Sequence, residues 1–139
     1  MRYLLDTSIC IALIRHRPPR LLARLQRSAV GDVGLSSITL AELHYGTARS
    51  RFPQQNREAL EVFTLPLVLV PFDGTAAAAY GPLRADLEGR GTPIGAMDTL
   101  IAAHALSLSV TLATDNIREF ERVRGLRVEN WLSGRGPRS

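Results

Sequence analysis

The sequence predicts an α/β fold: a central, mainly parallel sheet of about five strands with helices on both faces. Three observations carry this expectation. Short apolar runs alternate with helix-patterned stretches along the chain, and strand alternating with helix means parallel strands joined by right-handed crossovers. Several runs are continuously apolar, as strands covered on both faces require. The 139 residues also suffice for one core, able to bury ~68% of the unfolded surface without a metal or disulfide.

Taken in order, Tyr3–Leu5 is the first strand, and Ile9–Arg15 follows as a helical region that Pro18-Pro19 ends. Val33–Ser36 is the second strand, followed by helices over Thr39–Arg49 and Gln54–Phe63. Pro66–Val70 is the third strand. Thr75–Glu88 has helical period, but Gly81-Pro82 should kink or split it because proline removes a helix hydrogen bond. In the next helix, Asp98–Leu108, a stripe of Met97, Leu100, Ile101, Ala105 and Leu108 recurs at three- and four-residue steps and reads as buried. Val110–Ala113, a short helix over Ile117–Val123 and the strand Leu126–Val128 complete the pattern. Residues 1–132 are expected to form one domain, and the Gly-, Pro- and Arg-rich tail 133–139 to be disordered.

The formal net charge of +4 favours a polyanionic partner. All 17 basic residues are arginine, which excludes a P-loop lysine, a Schiff-base lysine and a receiver-domain lysine. A single Cys10 rules out an intrachain disulfide and, with no His or Asn pattern to activate it, reads as a small core residue. Asp6 breaks the first apolar run, so neither a signal peptide nor a membrane span is expected, and the expected location is cytoplasmic. His16, His44 and His104 share no ligand spacing and read as surface or packed helix residues.

In an open parallel sheet, ligands bind at the edge formed by the strand C-termini. Asp6 directly follows the first strand, Glu42 lies in the early turns of the helix leaving the second, Asp98 opens the helix leading into the fourth, and Asp115 ends the fourth. Each acid also has a capping explanation. Asp6 can cap the helix after it, Asp98 can accept from the N–H of Leu100 or Ile101, and Thr39–Glu42 and Asn116–Glu119 fit capping boxes. Independent capping does not account for their gathering at one lip, because crowded carboxylates repel unless a cation neutralises them. Hard oxygen ligands without a His or Cys group point to Mg²⁺, with Mn²⁺ as a substitute. Asp73 is left out of this set, since capping the Thr75 helix explains it.

The stretches "LLDTSICIALI", "SSITLAELHYG", "GTPIGAMDTLIAAHA" and "LATDNIREFERVRGLRVENW" together resemble VapC-type toxins of the PIN-domain ribonuclease family over nearly the whole chain. The resemblance implies a PIN-like three-layer sandwich and the toxin half of a type II toxin–antitoxin system. The implied activity is Mg²⁺-dependent hydrolysis of RNA phosphodiester bonds, in structured targets such as a tRNA loop, leaving 5′-phosphate and 3′-hydroxyl ends. It further implies a VapB-type antitoxin as partner and a homodimer, with Ile9–Arg15 or Gln54–Phe63 as candidate contact surfaces. By position it assigns Asp6, Glu42, Asp98 and Asp115 as catalytic and metal-holding acids, supported by Thr7, Ser8, Thr114 and Asn116. Ser8 stands where many members carry Asn, and the position of Asp115 varies among them. Arg15, Arg17, Arg20, Arg49, Arg84 and Arg90 are candidates to grip the RNA backbone. Two alternatives stand beside this reading. One is a non-catalytic RNA- or protein-binding module of the same fold. The other is a phosphohydrolase with Asp6 as nucleophile, against which stand Ser8 in place of a second acid and the missing lysine.

Overall fold

The computed structural model of the chain describes residues 1–132, so the tail 133–139 lies outside the described residues. Its five strands are β1 (Tyr3–Leu5), β2 (Val33–Ser36), β3 (Val68–Val70), β4 (Thr111–Ala113) and β5 (Val128–Glu129). They form one sheet in the order β3-β2-β1-β4-β5, every pairing parallel. The helices are α1 (Thr7–Arg15), α2 (Pro19–Arg27), α3 (Ser37–Ala48), α4 (Pro53–Thr64), α5 (Gly74–Gly89), α6 (Ala96–Leu108) and the short α7 (Ile117–Phe120).

Neighbouring strand residues face opposite layers. Leu5 joins a core of Ile9, Leu13, Leu21, Leu35 and Leu60, whereas Leu4 joins a second core with Ile101, Leu112, Phe120 and Val128. That division makes β1 apolar at every position. The edge strand β3 differs, with Val68 and Leu69 exposed.

Four local expectations are corrected. Pro18-Pro19 does not simply end a helical region: Pro19 starts α2, because a fixed φ and a missing N–H suit a helix's first position. Leu21 of that helix is fully buried, with Leu22 and Leu25 packed on the same core. Second, α5 runs unbroken through Gly81-Pro82. The carbonyl that Pro82 leaves without its helix partner belongs to Ala78, on the exposed face where water reaches it. Third, α6 is buried all round from Ile101 to Ala105 instead of along one stripe, and Met97 at its start is exposed. Fourth, neither capping box forms. Ser36 caps α3 through the Ile38 N–H, leaving Thr39 buried and Glu42 free for other contacts, and Asn116 makes no side-chain cap.

Arg24 of α2 fastens the first core to the end of the described chain. Its guanidinium pairs with Glu129, donates to the Tyr3 hydroxyl at 2.9 Å, and lies 5.2 Å from the centroids of both the Tyr3 and Trp131 rings. Trp131 Nε1–H also donates to Glu129, at 3.2 Å. Removing the cation alone strands a buried carboxylate. Arg24→Leu should therefore lower unfolding free energy by about 3 kcal/mol in urea denaturation, and adding Glu129→Leu should recover most of that loss. A double variant no more stable than Arg24→Leu would show that the damage comes from lost packing rather than from the uncompensated charge.

Candidate active site at the carboxyl edge of the sheet

β1 and β4 are neighbours with Leu5 paired to Ala113, so the residues just beyond them, Asp6 and Thr114–Asp115, emerge side by side. The Asp6 N–H donates to the Ala113 carbonyl at 2.9 Å, closing the ladder at that point. The Asp6 side chain is buried and caps α1. One carboxylate oxygen accepts from the Thr7 N–H at 2.8 Å, and the other from the Thr114 hydroxyl at 2.7 Å and the Ser8 hydroxyl at 3.0 Å. Ser8 Oγ also stands 2.6 Å from Asp115 Oδ1. A hydroxyl has one proton to donate, so it cannot satisfy both carboxylates fully at once.

Glu42, one and two-thirds turns into α3, accepts from the Thr7 hydroxyl at 2.6 Å. Thr7 and Ser8 thus link Asp6 to Glu42 on one side and to Asp115 on the other. Asp98 is not the N-cap expected of it. Gly95 occupies that place, and Asp98 sits in the first turn of α6. A Cβ at Gly95 would stand 3.5 Å from Asp98 Oδ2 and 3.8 Å from Glu119 Oε1, so both carboxylates lie over this glycine.

Glu119 is the acid that sequence reasoning missed as part of the site, having been absorbed into a capping box. It accepts from the Gly95 N–H at 2.9 Å and from the Asn116 side-chain amide, so α7 is joined to the start of α6. Of the supporting residues, Thr7, Ser8 and Thr114 touch the predicted acids directly, whereas the Asn116 side chain reaches Glu119. Asp73 does what was expected of it, capping α5 through the Ala76 N–H at 3.0 Å.

Burial and neighbouring charge act on two of these acids. Burial raises the Asp6 carboxyl above its usual range, its hydrogen bonds oppose this, and the Asp115 charge adds to it. Asp98 is pushed up to about 7, first by burial and then by the charges of Asp6 and Glu119, a shared hydrogen bond with Glu119, and the charge of Glu42. The candidate ligand atoms are all oxygen, which suits a hard divalent cation better than zinc or copper. Among the described residues, no three His, Cys, Asp or Glu side chains are gathered closely enough to hold a metal ion as they stand. Cys10 is fully buried in the first core. Of the histidines, His16 and His44 are exposed, while His104 is buried beside Ser36.

The six candidate arginines are spread over the surface. Arg15 lines a cavity with Glu42, Ile11 and Leu60, next to the acids. Arg17 and Arg20 lie exposed around the α1–α2 junction. Arg49 stacks on Tyr45, 5.6 Å from the ring centroid. Arg84 is paired with Glu88 and lines a depression with Ala96 and Thr99, which flank Asp98 on α6. Arg90 is held by Asp86 and the Arg122 carbonyl, each at 2.7 Å.

Comparison with known proteins matches the chain to the PIN domain over residues 3–126. It is 42% identical over 132 residues to Ribonuclease VapC2 of Haemophilus influenzae, covering 95% of this chain and 99% of that protein. It is 40% identical over 131 residues to the tRNA(fMet)-specific endonuclease VapC of Shigella flexneri, covering 94% and 98% respectively. The structure of DNA-bound VapBC from Salmonella typhimurium superposes with a TM-score of 0.91 at 39% identity, covering 94% of this chain and 98% of that one. Family match, sequence identity and fold thus agree over nearly the full length: the chain belongs to the PIN-domain family, in its VapC-type branch.

Proposed function

We propose that this protein is a divalent-metal-dependent endoribonuclease, the toxin of a type II toxin–antitoxin pair, with Asp6, Glu42, Asp98 and Asp115 as its metal-holding and catalytic acids. The observation that carries the site assignment is the hydrogen-bond network at the carboxyl edge of the sheet, in which Thr7 joins Asp6 to Glu42 and Ser8 joins Asp6 to Asp115, with Asp98 close enough to feel the charges of Asp6 and Glu42. The VapC relatives support the activity. Mg²⁺ is the preferred ion, with Mn²⁺ as substitute, on the chemistry of the donors. When bound, the ion supplies Lewis-acid polarisation of a phosphate oxygen and a more acidic water.

The chain's own residues do the rest. Asp6, Asp98 and Asp115 would hold the ion, and Glu42 would orient it or its water shell. Thr7, Ser8 and Thr114 fix the rotamers of Asp6, Glu42 and Asp115 through the bonds described above. With both oxygens of Asp6 hydrogen-bonded in a buried position, it is poorly placed to attack as a nucleophile. Arg15, in the cavity that Glu42 lines, and Arg84, in the depression beside Ala96 and Thr99, stand nearest the acids and suit an RNA backbone, with Arg17, Arg20 and Arg49 farther out on the surface, while Arg90 serves α5 and the Arg122 carbonyl first. The RNA target is a structured one, a tRNA loop, whose unstacked nucleotides leave the phosphates reachable. A VapB-type antitoxin covers this face in the resting complex, and two toxin copies pair through apolar helix surface. Ile11 of α1 and Val62 of α4 are exposed in the two helices expected to serve there. No helix of the described residues is long and apolar enough to cross a membrane, and the proposed site of action is the cytoplasm.

Asp6→Asn, Glu42→Gln and Asp98→Asn should each reduce RNA cleavage about 100-fold or more, and Asp115→Asn should do so less, in an Mg²⁺-supplemented assay. EDTA should abolish wild-type cleavage and excess Mg²⁺ restore it, while sequencing of fragment ends after brief expression should return cuts within one tRNA loop. An Asp98→Asn protein that cleaves at the wild-type rate would refute the assignment.

Metal removal should also expose the repulsion. The folded-state value of Asp98 lies above the unfolded one, so the native state binds more protons and metal-free stability falls as pH rises from 3.8 to about 7. At pH 7.5 in EDTA, Asp98→Asn should melt about 3 °C or more above wild type. Mg²⁺ at about 100 times its Kd should add about 2.7 kcal/mol to wild type and clearly less to the variant. A variant that melts lower in EDTA, with an unchanged response to Mg²⁺, would reduce Asp98 to a structural residue.

A further inference from the structure

His104 occupies a place where an apolar side chain would be the simpler choice. It is 1% exposed, within the stretch of α6 that also buries Ile101, Ala102, Ala103 and Ala105. A histidine ring taken out of water is tolerated only when its nitrogens are paired. Both are. Nδ1 stands 2.8 Å from the Ser36 hydroxyl, and the Pro71 carbonyl is the ring's other hydrogen-bond partner. Nδ1 and the Ser36 hydroxyl thus share a hydrogen bond whose direction the ring's tautomer sets. The same Ser36 oxygen accepts from the Ile38 N–H at 3.1 Å, as the cap of α3. This hydroxyl is therefore held from both α3 and α6. Phe72 closes the pocket edge-on, its ring centroid 5.3 Å from that of His104, and its N–H donates to Ser37 Oγ at 2.9 Å. Burial pushes the His104 value down against the opposing Asp73 charge, in keeping with a neutral ring.

This contact joins two helices at fixed distances from two of the acids. Ser36 precedes Glu42 by six residues, and His104 follows Asp98 by six. At ~1.5 Å rise per residue, each acid is held ~9 Å from the joint by an unbroken helical segment. If α6 slid along α3, the Ser36–His104 bond would break and the Asp98–Glu42 spacing would change with it. We propose that Ser36 and His104 form a buried positioning pair that sets the spacing of Glu42 and Asp98, and through it the affinity of the site for its divalent ion. The pair touches neither substrate nor metal. This inference rests on the metal reading given under the proposed function.

Direct Mn²⁺ binding, measured by electron paramagnetic resonance of the free ion at a temperature where each variant is folded, tests it without recourse to cleavage. His104→Leu leaves the Ser36 hydroxyl without its partner on α6 and should raise the Mn²⁺ Kd about tenfold or more, as losses behind a metal ligand do. His104→Asn places an amide oxygen near the position of Nδ1 and should stay within about threefold of wild type. Leu21→Ala, in the opposite core, should lower the melting temperature while leaving the Kd within about twofold, so destabilisation alone does not mimic the effect. If His104→Leu does not fold, Ser36→Ala replaces it, with the same tenfold threshold. A wild-type Kd in the folded variant overturns the positioning role. Equal Kd values for wild type and Asp98→Asn overturn the metal reading itself, and the positioning role with it, so the two failures are told apart.

Discussion

Asp6 is a carboxylate buried at the end of the central strand, and among the described residues it accepts only from neutral groups. Everything at the carboxyl edge is arranged around making that burial tolerable. Its oxygens take one backbone and two hydroxyl hydrogen bonds, supplied by the first two residues of α1 and by the residue that follows β4. Those donors fix where α1 starts and hold the end of β4 beside that of β1. Hydroxyls can share a negative charge but cannot cancel it, and the Asp6 carboxyl remains raised despite three donors. The edge is therefore built with an excess of negative charge, which a proton or a cation neutralises.

The two cores have separate duties toward this edge. One packs α1 to α4 and presents Glu42, while the other packs α5, α6 and α7 and presents Asp98 and Glu119. The sheet between them contributes Asp6 and Asp115. No single layer owns the site, so its geometry depends on how firmly the layers are registered against one another. α6 is buried from all directions because it bears that load, lying against α5, α3 and β4. A helix packed on one side only could tilt in response to charge, and one enclosed like this cannot without disturbing its neighbours.

Much of this was legible in the sequence. Apolar runs fix the strands, since a buried strand has few residue types open to it, and the position of each acid relative to its strand follows from crossover geometry. What escaped was set by contacts distant in sequence. Glu119 looked like half of a capping box because Asn116 stands three residues before it, yet besides the Asn116 side-chain amide it accepts from the Gly95 N–H, 24 residues away. Asp98 looked like a cap for lack of any sign that Gly95 would take the place. The Ser36–His104 bond spans 68 residues, and no periodicity marks it. At Pro19 and Pro82 the same residue type misled in opposite ways. Proline's meaning depends on whether the missing N–H would have been bonded at all, and on which face its orphaned carbonyl lies.

The exposed edge of β3 has a consequence of another kind. Val68 and Leu69 face solvent on an outermost strand, the arrangement by which sheets recruit strands from other molecules. Here the invitation is cut short. The strand is three residues long, and Pro66 and Pro71 stand just outside it, each without an N–H to extend a ladder. A foreign strand would find too few hydrogen bonds to repay its ordering. The prolines thus act as gatekeepers against aggregation, letting the chain keep apolar side chains on an open edge because the backbone there is too short to be copied.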